Sequence, residues 1–451
     1  MPPTRNLVLV IFFALSLFSA SCDGGSLLQT ATSCHRRRHH HSHRCHHRKH
    51  HKGGHHRDNH LKGRRKQPHQ KVFSVDDFGA KGDGTTDDSE AFLRAWNKFC
   101  NSRGSMLVIP NRKTYMLSPT HFSGPCYPNL KLRLYGTIKA YGNKNDYKND
   151  RHRWLKFSDL KNFMVDGGGV IDGNGQQWWK ESCKVQKSEI CDRGDRPFAV
   201  TFQNGTNISV KDLLFKNSPK MHLVFLESQS IRASNIVIQA PGDSPNTDGI
   251  HISHTTDVEI TNSVIATGDD CISIVNESKN VRVSRIVCGP GHGISIGSLG
   301  KNDDLEEHVT NIIVDTVVFK GTTNGVRIKT WQGGNGYARN ILFDNIVMHN
   351  VTNPIIIDQF YCDNPRDNYG NILPCPEKVE AVGVSNVIYR NIRGTSAREL
   401  AIRFECSKTV PCKGILLENV NLIGEDKGVV KAECSNVKYA NIGHVFPSCS
   451  G

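Results

Sequence analysis

The sequence predicts an all-β chain wound as a right-handed parallel β-helix, a single-stranded solenoid whose N-terminal end is covered by a short capping helix. Asn, Asp or Gly recurs ahead of alternating aliphatic residues at Asn207-Ile208, Asn235-Ile236, Asp257-Val258, Asn280-Val281, Asn311-Ile312, Asn340-Ile341, Asn386-Val387 and Gly414-Ile415, in steps mostly of 22 to 31 residues. Such spacing is that of stacked solenoid turns. A second series interleaves with it: Gly249-Ile250-His251-Ile252, Cys271-Ile272-Ser273-Ile274, Gly293-Ile294-Ser295-Ile296 and Gly325-Val326-Arg327-Ile328. Period-two alternation turns its aliphatic residues inward and His251, Ser273, Ser295 and Arg327 outward. An antiparallel sandwich would share the alternation but gives no reason for the repeated register.

Taken in chain order, residues 1–21 read as a secretory signal, with Arg5 as the positive start, an apolar run from Leu7 to Phe18 and the small residues Ser19-Ala20-Ser21 as a cleavage site. The run is shorter than the ~20 residues a membrane-spanning helix needs, and no later segment approaches that length. Residues 22–71 form a tail. Within it, 34–71 hold 13 Lys/Arg, 13 His and one acid, Asp58, so the tail carries +12 of the chain's formal +14 and the body is nearly neutral. With so little apolar surface to bury, the tail is expected to be disordered. It reads as an electrostatic tether to a polyanion, against a solvated spacer, a metal-binding histidine tract or a basic nuclear-type signal around Arg64-Arg65-Lys66; the secretory signal disfavours the last.

At Val72 the composition turns to alternating apolar and polar residues, and a folded β-helical domain over 72–451 is expected, long enough to bury a large core. Asp87 or Asp88 is placed to cap a helix whose Ala91, Phe92, Ala95, Trp96 and Phe99 share one face. Fifteen cysteines behind a secretory signal argue for an oxidising compartment. Neighbours in sequence give the expected pairs Cys100 with Cys126, Cys183 with Cys191, Cys271 with Cys288, Cys362 with Cys375, Cys406 with Cys412, and Cys434 with Cys449, leaving Cys22, Cys34 and Cys45 over. Asn204, Asn207, Asn276 and Asn350 open N-glycosylation sequons.

The chemistry gathers where the second strand series begins. Asp248 and Asp270 lie 22 residues apart and His292 another 22 on, so stacking sets them at equivalent places about 4.8 Å apart per turn, with Asp269 beside Asp270. Carboxylates this close cannot all ionise at an ordinary value, so one is expected to keep a proton as general acid while another activates water. Arg327 and Lys329, outward on one strand a coil beyond, suit the carboxylates of a polyanion. Calcium at Asp248, Asp269 and Asp270 is disfavoured by those cations and by the small ligand set. Zinc lacks a second His or Cys at ligand spacing around His292. Neither metal nor cofactor is expected.

These residues stand in Asn217-Ser218-Pro219, Ser244-Pro245-Asn246-Thr247-Asp248-Gly249-Ile250, Gly268-Asp269-Asp270-Cys271, the run from Cys288 through Gly291-His292-Gly293 to Ser298, and Gly325-Val326-Arg327-Ile328-Lys329-Thr330. In them the chain resembles the plant-type polygalacturonases of glycoside hydrolase family 28, from about Val72 to Cys449. The resemblance implies inverting hydrolysis of α-1,4-linked galacturonan in the pectin of the cell wall, with Asp269 as proton donor, Asp248 and Asp270 activating water and His292 orienting or tuning the acid. It implies that Arg327, Lys329, Tyr361 and Asn246 bind substrate. The basic tail has no counterpart in the common pattern; beside such an enzyme the polyanion it tethers to is expected to be anionic cell-wall polysaccharide. A secreted monomer acting on pectin/homogalacturonan, without nucleic-acid or membrane partners, is the expectation. The alternatives are an exo-acting galacturonosidase, a calcium-dependent pectate lyase on the same fold, and a non-catalytic pectin-binding protein; the last would be favoured by loss of an acid, and none is missing.

Overall fold

The two strand series of the sequence stack coil upon coil. The computed structural model describes residues 71–449 apart from 143, 148–149, 184, 186–195, 302–304, 363–374, 376–377 and 427. The secretory signal, nearly all of the expected tail, and Cys22, Cys34 and Cys45 lie outside the described residues. Among the described residues one sheet has eleven parallel strands, from Thr120–Ser123 to Lys431–Ser435, each paired with its counterpart one coil on, and nineteen further strands build the other faces. The result is a right-handed parallel β-helix. In the eleven-stranded sheet Ile250, Ile272, Ile294 and Val326 align, and so do His251, Ser273, Ser295 and Arg327.

That alignment follows from what each row meets. The inward row begins with four aromatic rings, Phe122, Phe157, Phe202 and Phe225, stacked at centroid distances of 4.9, 5.0 and 5.8 Å. It continues through the buried Ile252, Ile274, Ile296, Ile328, Ile357 and Phe404. Slipping one strand by one residue would put its aliphatic residues in solvent and its polar ones in this stack, so the core fixes the register and thereby the positions of the outward polar row.

The capping helix, α1 (Ser89–Cys100), buries Ala91, Phe92, Ala95, Trp96 and Phe99 as its periodicity requires. Trp96 lies over the first ring of the stack, 5.1 Å from Phe122, and its indole N–H donates to the Ser123 carbonyl at 3.0 Å. Losing such an aromatic from a core costs about 3–5 kcal/mol, so Trp96 contributes strongly to seating the lid. Of the two acids offered as caps, Asp87 meets the helix start and Asp88 does not. Asp88 stands at the cap position, but its buried carboxylate accepts the N–H groups of Lys81 (2.6 Å) and Gly82 (3.0 Å). Asp87 Oδ1 accepts the N–H of Ser89, the first helical residue (2.9 Å). The loop before the helix has backbone donors of its own, and they take the buried Asp88 carboxylate.

The recurring Asn, Asp and Gly residues mark corners, and there are two corners where the sequence reads as one series. Asn207, Ser230, Asp257, Asn280, Asn311, Asn340, Asn386 and Gly414 have φ between 54° and 66°. Asp212, Asn235, Asn262, Asn345, Asn391 and Asn419 turn the second corner, also at positive φ. This is the left-handed region that Gly, Asn and Asp enter at least cost. The amides also link coil to coil: Asn280 donates to Asp257, Asn311 to Asn280 and Asn340 to Asn311, at 2.9 to 3.1 Å. Asn235 belongs to the second corner and donates to Asp212 (2.9 Å).

Five of the expected disulfides form: Cys100–Cys126, Cys271–Cys288, Cys362–Cys375, Cys406–Cys412 and Cys434–Cys449. Cys183 is disulfide-bonded, and its expected partner Cys191 lies outside the described residues. Of the sequon asparagines, Asn204, Asn207 and Asn350 are exposed and Asn276 is half-buried. Among the described residues no helix is long and apolar enough to cross a membrane.

Candidate active site

The outward row of the eleven-stranded sheet floors a groove of about 630 Å³, and the turns that feed its strands supply the acids. Asp248, Asp270 and His292 each stand two residues ahead of the aligned Ile250, Ile272 and Ile294. The turn holding Asp269 and Asp270 is pressed on the turn below. The Gly268 N–H donates to Thr247 Oγ1 at 3.0 Å, and any Cβ at 268 would collide with the Ser244 carbonyl. Only glycine allows that approach.

Each buried carboxylate has its own holders. Asp270 Oδ1 accepts from the Ser295 hydroxyl (2.7 Å) and Arg327 Nη2 (2.8 Å), and Oδ2 from Lys329 Nζ (3.2 Å). Asp269 Oδ1 accepts the Asp270 N–H (2.9 Å) and lies 3.1 Å from His292 Nδ1, while Oδ2 accepts from the Asn246 amide at 3.3 Å. Asn246 is fixed in turn: its Oδ1 accepts from Arg196 Nη2 (2.7 Å), and Arg196 Nη1 donates to the Pro245 carbonyl (2.8 Å). Asp248 Oδ2 accepts from the Ser273 hydroxyl (2.7 Å).

The backbone of Asp248 is anchored by His222. The Ser218 N–H donates to His222 Nε2 (3.2 Å), which leaves the ring proton on Nδ1 to donate to the Asp248 carbonyl (3.0 Å). Burial lowers this imidazole to about 4, so it stays neutral in that tautomer. Burial pushes the Asp248 carboxyl the other way, well above the ordinary carboxylate value; the charges of Asp269 and Asp270 add to the push, and the Ser273 hydrogen bond opposes it.

All eight site residues named from the sequence, Asp248, Asp269, Asp270, His292, Arg327, Lys329, Tyr361 and Asn246, line this one groove. Arg327 and Lys329 also clamp Asp270, a contact the sequence does not reveal. Tyr361 receives Lys329 Nζ over its ring at 5.2 Å and packs edge-on against Trp331 at 5.2 Å. Sequence reasoning missed Arg196, which stands in no repeat, and His222. The signal for His222 was present, because Leu223 aligns with Ile250 and the strand series runs one coil further back. Donor atoms of Asp269, Asp270 and His292 come within 4.8 Å of one another, but a metal cation there would face Arg327 and Lys329, already seated on Asp270.

A parallel β-helix whose groove gathers three carboxylates beside a guanidinium and an ammonium has the architecture of a β-helical glycoside hydrolase. The chain belongs to the glycosyl hydrolases family 28, whose family model matches residues 100–449. It is 48% identical to Polygalacturonase QRT2 of Arabidopsis thaliana over 406 residues, covering 88% of this chain and 89% of that protein. It is 52% identical to a polygalacturonase of Persea americana over 366 residues, 81% of this chain and 77% of that one. Among solved structures, a hyperthermoactive exopolygalacturonase from Thermotoga maritima superposes with a TM-score of 0.68 at 23% identity, covering 82% of this chain and 90% of that one. An endo-xylogalacturonan hydrolase from Aspergillus tubingensis gives 0.69 at 23%, covering 82% and 100%. At that identity the two structures speak to the fold alone.

Proposed function

We propose that this chain is a secreted polygalacturonase that hydrolyses α-1,4-galacturonosidic bonds of cell-wall pectin with inversion. The observation that carries the reading is the carboxylate trio set around Asp270 with Arg327 and Lys329 on it, supported by relatives named polygalacturonase at about half identity. Asp269 gives its proton to the glycosidic oxygen as that bond breaks. Asp248 and Asp270 hold a water on the opposite face, and one of them takes its proton as the water oxygen bonds to the anomeric carbon. His292, 3.1 Å from Asp269 Oδ1, orients the acid. Arg327, Lys329 and Tyr361 meet the galacturonate carboxylate and ring.

The test is product analysis of the purified protein on polygalacturonate. Saturated products of inverted anomeric configuration, formed equally well with a chelator present, are expected. Unsaturated ends or a strict calcium requirement would move the chain to the lyases, and binding without turnover would make it a non-catalytic pectin-binding protein. Release of monogalacturonate alone would assign exo cleavage, and mixed oligomers endo cleavage.

A further inference from the structure

Two chains of hydrogen bonds lie side by side on the groove floor, one coil apart. In one, Arg327 Nε donates to Ser295 Oγ (3.0 Å), whose hydroxyl donates to Asp270 Oδ1 (2.7 Å). In the other, His251 Nδ1 lies 2.7 Å from Ser273 Oγ, and that hydroxyl donates to Asp248 Oδ2 (2.7 Å). A serine hydroxyl has one proton. With it committed to Asp248, the contact with His251 requires the imidazole to donate, which places its proton on Nδ1. Both chains come from the same aligned row, His251, Ser273, Ser295 and Arg327.

We propose that Ser273 and His251 are positioning residues for Asp248: His251 holds the Ser273 hydroxyl turned toward Oδ2, which occupies that oxygen and leaves Oδ1 to receive the proton of the attacking water. The inference rests on the reading of Asp248 as a water-activating carboxylate. Asp270 does not depend on its serine in the same way, because Arg327 and Lys329 reach it directly. Among the described residues Asp248 has no such direct cation contact in its hydrogen bonds; the charges that act on it are those of Asp269, Asp270 and, more weakly, Lys329. The groups facing His251 are Lys220, Asp270 and Lys329, and burial, followed by Lys220, lowers its imidazole to about 4. It therefore remains neutral, and in one tautomer, above that value. The donated bond is a force that favours the charged form of Asp248 against burial and two like charges.

The test is the pH dependence of kcat/KM on polygalacturonate for Ser273→Ala, Ser273→Thr, His251→Phe and Ser295→Ala, with a melt to confirm folding. Removing the donor favours the protonated carboxyl, so the acidic limb should move to higher pH, by about one unit in Ser273→Ala. His251→Phe, which frees the hydroxyl to rotate, should move it in the same direction by less. Ser273→Thr keeps a hydroxyl and should restore the original limb, and Ser295→Ala should move the limb less than Ser273→Ala. A Ser273→Ala enzyme that folds, loses kcat and keeps its limb would overturn the proposal and leave the serine a packing residue. Full activity of Asp248→Asn would instead overturn the catalytic reading on which it rests.

Discussion

Replacing Asp269 by Asn removes one proton and almost no volume, so it separates catalysis from structure. The amide must turn its NH2 toward one of two donors. Toward Oδ1 it would face the Asp270 N–H at 2.9 Å, and toward Oδ2 the Asn246 amide at 3.3 Å. The longer bond is the cheaper to lose, and Asn246 cannot flip to recover it, because its own oxygen accepts from Arg196. Leaving that one donor unsatisfied costs about 1–3 kcal/mol, which in a folded body of this size amounts to a drop in Tm of about 1–4 °C. Catalysis should suffer far more, since a general acid contributes about 10²–10⁴-fold. The assay pairs a thermal melt with release of reducing ends from polygalacturonate at saturating substrate. A kcat within tenfold of the unaltered enzyme, in a variant with a near-normal melt, would refute the assignment of Asp269 as the acid.

The other expectations concern charge. Arg327→Ala and Lys329→Ala should lower kcat, because both clamp Asp270, and should weaken binding of de-esterified galacturonan more than of methyl-esterified chains; equal losses on the two substrates would make the pair purely structural. Asp248, with its carboxyl raised by burial and by Asp269 and Asp270, favours the folded state while protonated, and that contribution fades as pH rises through its raised value. Asp248→Asn should therefore be inactive yet gain more in Tm at pH 7 than at pH 4, and a gain confined to pH 4 would contradict the sign. Deleting residues 34–71, with their net +12, should abolish salt-sensitive retention on immobilised polygalacturonate while kcat on short oligomers stays unchanged; equal retention with and without the tail rules out a tether.

The fold was legible because a solenoid writes its register into the chain. Ile250, Ile272 and Ile294 align in space as they do in spacing, and the acids ahead of them align too. What stayed hidden depends on contacts that no period records. Arg196 reaches Asn246 across 50 residues, and nothing in its local sequence marks it. The clamp of Arg327 and Lys329 on Asp270 requires side-chain directions as well as register. The corner asparagines were seen but merged into one series, since Asn235 and Asn207 satisfy the same backbone demand and differ only in which edge of the coil they turn. Asp88 shows the converse: local pattern offered it as a cap, and the N–H groups of Lys81 and Gly82 in the preceding loop hold its carboxylate instead.

A stack of coils joined only to their neighbours behaves as a zipper with two ends, and its ends are unequal here. The first coil is sealed by Trp96 and the helix that bears it, whereas the last strand, Val437–Phe446, is exposed along most of its length. Fraying is therefore expected to start at the C-terminal end, with the Cys434–Cys449 bond limiting how far it runs. Between that end and Tyr361 stand the coils of Leu400–Glu405 and Lys431–Ser435. Local opening is expected to grade in free energy along such an array, so the outer coils can breathe while the carboxylates in the middle keep the spacing that hydrolysis needs.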